Sequence, residues 1–137
     1  MKTKNRGSTL IELLIATLIF SVALGALLSS LVAIVNVIDL SRERTIATAD
    51  LRNMLERIRS APFSSLLTNF PNGLADGPVS NPYVNITGGY QLIDEHITVN
   101  YANPNVDPLE IQVVETWKNK KGHAYNAALS TFKTRSQ

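Results

Sequence analysis

Arg6-Gly7-Ser8-Thr9-Leu10-Ile11-Glu12-Leu13 stands at the head of an apolar run that continues to Ile38. From Leu13 to Ile38 there are 26 residues without Asp, Glu, Lys, Arg or His. As a helix rising about 1.5 Å per residue they span ~39 Å, more than the ~30 Å of a bilayer core. Lys2, Lys4 and Arg6 precede the run with no acid among them, and one carboxylate, Glu12, stands at its start. The run is too long for the apolar stretch of a secretory signal, and Asp39-Leu40-Ser41 lacks the small-residue pattern of a cleavage site. As a membrane anchor it obeys the positive-inside rule, with the three cations in the cytoplasm and the C-terminal head across the membrane. Glu12 is then the anomaly. An acid costs ~2.5–3.5 kcal/mol at the middle of a membrane helix and less near an end, so this carboxylate calls for a partner.

Working outward, 137 residues leave room for one domain, and fewer than 100 remain beyond the first 40 for a soluble head. The formal charge is +2, but without the three leading cations ten basic residues face eleven acidic ones. The basic pI therefore belongs to the leader and does not argue for nucleic acid. The absence of cysteine removes thiol catalysis, Cys-zinc sites and iron–sulfur clusters, and leaves the head to be held by packing or by neighbouring copies.

Past Ile38 the pattern becomes amphipathic. Ala47, Leu51, Met54, Leu55 and Ile58 fall on one helical face, and Arg42, Glu43, Arg44, Asp50, Arg52, Glu56, Arg57 and Arg59 are assigned to the solvent side. Pro62 closes the helix, because the residue before a proline is driven out of helical geometry. One helix from about Ser8 to Ser60 is the prediction. Small residues at Ser21, Gly25 and Ser29 recur four apart, a spacing that lets helices approach closely in lipid.

Pro62 to Gly89 reads as a loop, punctuated by Pro71, Gly73, Gly77, Pro78, Pro82, Gly88 and Gly89 and anchored by Phe63, Leu66, Leu67 and Phe70. Three alternating segments follow. Ile97, Val99 and Tyr101 define the first, and Leu109, Ile111 and Val113 with Trp117 in phase define the second. After the turn Asn119-Lys120-Lys121-Gly122, Tyr125, Ala127, Leu129 and Thr131 define the third. Together these predict an α+β fold: one long N-terminal helix, half membrane-spanning and half amphipathic, packed on a small antiparallel sheet.

The head offers little chemistry. His96 follows Asp94 and Glu95, but neighbours on a strand alternate faces, so these are taken as exposed residues and no metal site is predicted. There is no phosphate-binding glycine loop, nucleophile elbow or Ser/His/Asp set. The chain reads as a non-enzyme, with no catalytic residues and no cofactor. Lys118, Lys120, Lys121, Lys133 and Arg135, interleaved with Trp117, Tyr125 and Phe132, have the composition of a single-strand DNA surface. Trp117, however, is in phase with the buried face, and the lysines are assigned to a solvated turn. DNA is not taken as a partner on this evidence.

Gly7-Ser8-Thr9-Leu10-Ile11-Glu12-Leu13, with its basic leader and long uncharged helix, resembles the processing site of type IV prepilins and type II secretion pseudopilins. The resemblance implies cleavage between Gly7 and Ser8 by a prepilin peptidase on the cytoplasmic face, and N-methylation of the new first residue, Ser8. Ser8 stands where the family usually has Phe, and Glu12 becomes the fifth mature residue. In the family that glutamate pairs with a neighbour's terminal amine and sets register during assembly. The division implied is a cleaved leader (1–7), a transmembrane and assembly half of the helix (8–40) and a pilin-like periplasmic or extracellular head (41–137). The strand–Trp–turn–Gly–strand segment is also similar to the C-terminal hairpin of minor pilins.

The function implied is that of a minor structural subunit of a type IV pilus. The partners implied are other pilin or pseudopilin subunits, the peptidase and an inner-membrane assembly platform. The location is the inner membrane, single-pass with a cytoplasmic N-terminus, and then the filament. A type II secretion pseudopilin and a competence pilin contacting DNA are the alternatives.

Overall fold

The computed structural model describes residues 6–87 and 92–135. Lys2 and Lys4 of the expected leader, and Gly88 and Gly89 of the expected loop, lie outside the described residues. Helix α1 (Arg6–Ser60) is followed by a 3-10 turn (Phe63–Ser65) and two short helices, α2 (Leu66–Asn69) and α3 (Val84–Thr87). Strands β1 (Ile93–Tyr101), β2 (Leu109–Lys118) and β3 (Ala124–Lys133) complete the chain. They form an antiparallel meander in the order β1-β2-β3. This is the α+β, pilin-like arrangement expected from the sequence. By contacts the chain divides into two compact units, Met1–Asp39 and Leu40–Gln137.

The 55 residues of α1 include no proline and stay helical through Gly25, Ser29 and Ser30. Three hydroxyls in the apolar stretch bond back to the helix's own carbonyls. Thr17 Oγ1 donates to the Leu14 carbonyl at 2.9 Å, Ser21 Oγ to Thr17 at 2.7 Å and Ser29 Oγ to Gly25 at 3.0 Å. Such back-bonding lets a hydroxyl sit in an apolar helix without asking its surroundings for a partner.

In the Leu40–Gln137 unit the amphipathic face of α1 does what its spacing requires. Leu51, Met54, Leu55 and Ile58 pack against Ile97, Val99 and Tyr101 of β1 and Leu109, Ile111 and Val113 of β2, with Ala127 and Leu129 of β3 alongside. A second cluster joins Ala47, Leu92 and Trp117, and the Trp117 indole stacks on Tyr125 at 6.0 Å. The strand alternation is as predicted. Asp50 is not: it is buried at 8% exposure, three residues after Ala47 and four before Met54, in phase with the apolar face rather than on the solvent side.

The connection between helix and sheet is more ordered than a plain loop. Leu66 and Phe70 are core anchors as expected and Phe63 packs against them, but Leu67 is half exposed and anchors nothing. Tyr83 takes that place, fully buried beside Phe70 at 6.1 Å between ring centroids. Residues of this connection also cover the outer edge of β1. Gly73 N–H donates to the Val99 carbonyl at 2.8 Å, Asp76 N–H to Ile97 at 2.7 Å, and Ala75 bridges Thr98. A covered edge cannot recruit a foreign strand.

The helix end is capped from β3. Lys133, 3% exposed, donates from Nζ to the carbonyls of Arg59 at 2.6 Å and Ile58 at 3.2 Å. A cation on carbonyls that the last turn leaves unpaired meets both a hydrogen-bonding and a dipole requirement. Arg59 reaches back from Nε and Nη2 to Thr131 Oγ1 at 3.0 and 2.8 Å.

Gly77 and Gly73 separate two glycine effects. Both have positive φ, +72° and +69°, but a Cβ at Gly77 would run into the Tyr83 ring, whereas one at Gly73 would meet nothing. Gly73→Ala should therefore cost only backbone strain, about 1 kcal/mol, and Gly77→Ala a further ~1–3 kcal/mol from overpacking. Denaturant unfolding of the two variants in parallel checks the order. Equal losses would show that Tyr83 yields freely.

Candidate functional site

The N-terminal stretch of α1 carries the residues that the sequence singles out. Gly7 and Ser8 lie in the first turn of the helix, which begins at Arg6, and Glu12 lies one turn beyond Ser8. Positions four apart share a helix face, so the Ser8 backbone nitrogen and the Glu12 side chain belong to the same side. Glu12 is exposed and borders a shallow surface made with Ile11, Ile15, Ala16 and Ile19.

From Leu10 to Ile38 the large apolar side chains are 43–67% exposed, on every side of the helix. A core helix would hide one face and a surface helix would show only its polar one. Here no face is hidden, and α1 is the one helix among the described residues long and apolar enough to cross a membrane. Mid-run residues therefore suit lipid or other helices around them, and Glu12 is the acid at the start of that run.

The basic hairpin of the head does not form one surface. Lys133 is buried on the end of α1, Lys118 pairs with Asp94 at 2.7 Å, and Arg135 lies over the Phe63 ring at 5.7 Å. Trp117 is 1% exposed, and its indole N–H donates to Glu43 Oε2 at 3.2 Å. Phe132 is the aromatic of that group left open to solvent. Cations and rings that alternate in sequence are thus separated by fold.

His96 is half exposed, as expected, but engaged. Its Nδ1–H donates to Asp76 Oδ2 at 2.7 Å, and Nε2 lies 3.5 Å from Asp94 Oδ1. Asp76 Oδ1 also accepts the Ile97 N–H at 3.1 Å, so one carboxylate ties the connection to β1. The Asp76 hydrogen bond and charge raise the His96 pKa, and the hydrogen bond and charge of Lys118 lower that of Asp94.

A third group was not foreseen. Asp50 of α1, Glu95 of β1 and Glu115 of β2 each place a carboxylate oxygen within 4.8 Å of the others. Glu115 is fully buried, and neither of its oxygens has a hydrogen-bond partner. Burial, reinforced by the charges of Glu95 and Asp50, pushes its pKa up to about 8; burial and then Glu95 push Asp50 up to about 6. The signal was present in the phase. Glu115 sits between Val113 and Trp117, and Glu95 two before Ile97, on the inward parity of their strands.

Residues 2–28 match the family model described as the prokaryotic N-terminal methylation motif. That is the prepilin-type signature, consistent with the type IV pilins and pseudopilins, which are structural subunits. No curated protein and no solved structure matches the chain.

The His96–Asp76 pair makes a pH prediction. A histidine whose folded pKa is raised stabilises the fold fully below its unfolded value of ~6.5, and that contribution disappears as pH rises through the higher folded value. Asp76→Asn should lower the His96 pKa toward ~6.5 and flatten this part of the stability profile. Imidazole NMR titration of both proteins tests it, and an unchanged His96 pKa would refute the pairing.

Proposed function

We propose that the chain is a minor structural subunit of a type IV pilus, made as a single-pass inner-membrane precursor with its N-terminus in the cytoplasm and its head in the periplasm. Prepilin peptidase cuts after Gly7, Ser8 becomes the first residue and is N-methylated, and an inner-membrane platform passes the subunit into a filament of other pilins. The observation that carries this reading is the matched signature at residues 2–28 running into a helix whose apolar side chains are exposed on all sides. Such a helix suits two successive environments, first lipid and then a bundle of like helices.

Cleavage changes the electrostatics in the direction assembly requires. It removes Lys2, Lys4 and Arg6, whose charge resists movement out of the cytoplasmic leaflet, and it creates an amine at Ser8. The amine and Glu12 are each costly when unpaired in an apolar medium. A pair formed between staggered neighbours offsets part of that cost and fixes their register. Ion pairs of this kind are better attested as selectors of register than as sources of net stability.

Two measurements test the proposal. Mass spectrometry of the protein from cells with an active peptidase should find a chain beginning at Ser8 and bearing one methyl group; an intact Met1 would sink the reading. Glu12→Ala should leave membrane insertion intact while abolishing recovery in sheared filaments. Undiminished incorporation would remove the pairing role.

A further inference from the structure

We propose that Asp50, Glu95 and Glu115 hold one divalent cation in the head, and that calcium is the ion the site fits. All three lie within the Leu40–Gln137 unit, so the site stands or falls independently of how the N-terminal helix is processed or assembled.

Three facts converge on it. First, the donor oxygens lie within 4.8 Å of one another. Oxygens about 2.3–2.6 Å from a shared calcium are at most about 5 Å apart, so one ion can touch all three with little rearrangement. Second, Glu115 is buried with both oxygens unpartnered, although native interiors almost always satisfy such groups. An ionised carboxylate in that position, facing two others, is costly unless a proton or a cation compensates it. Third, the group is braced as ligands are: Glu95 Oε2 accepts the Leu92 backbone N–H at 2.8 Å, which fixes the carboxylate from behind.

The donor set selects the ion. Carboxylate oxygens with no histidine or cysteine among them suit hard cations rather than zinc or copper. Magnesium sheds its waters reluctantly, whereas calcium accepts six to eight oxygens in flexible geometry, which water can complete around the three carboxylates. Access is through Glu95, which is only half-buried and lines a pocket of about 240 Å³ with Asp76, Tyr83 and Asp94. The ion would join α1, β1 and β2 at one point, linking helix to sheet.

The test uses the full chain in detergent, stripped with EDTA and titrated with calcium chloride or magnesium chloride. Calorimetry should show one calcium site. The unfolding temperature should rise with calcium as linkage requires, and less with magnesium. Glu115→Gln keeps the shape and removes the buried charge, so it should fold at least as stably as the stripped protein while losing more than about tenfold in calcium affinity. Glu95→Gln should lose affinity likewise, whereas Glu110→Gln, on the outward face of β2, should not. No calcium response in the unmodified chain overturns the proposal, and so does a response that survives Glu115→Gln and Glu95→Gln undiminished. An equal response to magnesium overturns the choice of ion.

Discussion

A backbone crossing an apolar medium must satisfy its own hydrogen bonds, and the 26-residue uncharged run can do so only as a helix. The rest of the chain depends on that constraint. The helix that answers it continues without a break to Ser60, and its last turns supply the face on which the sheet is built. One element therefore serves two solvents. Its first part is apolar and exposed on all sides. Its second part is apolar on one face only, because the sheet provides the packing.

The head solves the remaining polar problem with long side chains reaching between elements that are far apart in sequence. Lys133 on the last carbonyls of α1, Arg59 on Thr131 and Glu43 on the Trp117 indole each join residues more than 70 positions apart. None of these contacts adds much alone, since a hydrogen bond nets about 0.5–1.5 kcal/mol and rather more when charged. What they do is remove alternatives. A sheet that slipped by one residue on β3 would turn Thr131 and Lys133 away from the helix end and leave its carbonyls bare.

The parts of this architecture governed by a local period were legible in the sequence. Period 3.6 placed Ala47, Leu51, Met54, Leu55 and Ile58 on the buried face, and period 2 placed Ile97, Val99, Val113 and Trp117, because amphipathic elements carry their orientation in their own spacing. Asp50, Glu95 and Glu115 obey the same periods. Asp50 and Glu95 are read as exposed when charge is given more weight than phase, and phase decides. The connection was harder for a different reason. Leu67 and Tyr83 have no periodic context, and which of them reaches the core depends on where the β1 edge receives residues 73–76, a non-local matter. The engagement of Lys133 was hidden likewise: nothing near it in sequence says that a helix end lies across from it. The motif at Gly7, Ser8 and Glu12 was legible as chemistry rather than as fold, since its meaning lies in what acts on it.

Glu12 and Glu115 are the same physical problem set twice. Glu115 is a carboxylate buried away from water, Glu12 one set at the start of an apolar helix, and among the described residues neither meets a cation. A protein seldom keeps such a charge without use, because replacing it with an apolar residue of similar size is often neutral or stabilising. What it gains is conditionality. In the proposed assembly Glu12 meets a neighbour's amine, and in the proposed site Glu115 meets a cation between helix and sheet. In both proposals the compensating charge comes from outside the chain, so both carboxylates make a structural state depend on a partner. For the proposed pilus subunit, held in a membrane before it joins a filament, that dependence would itself be a function.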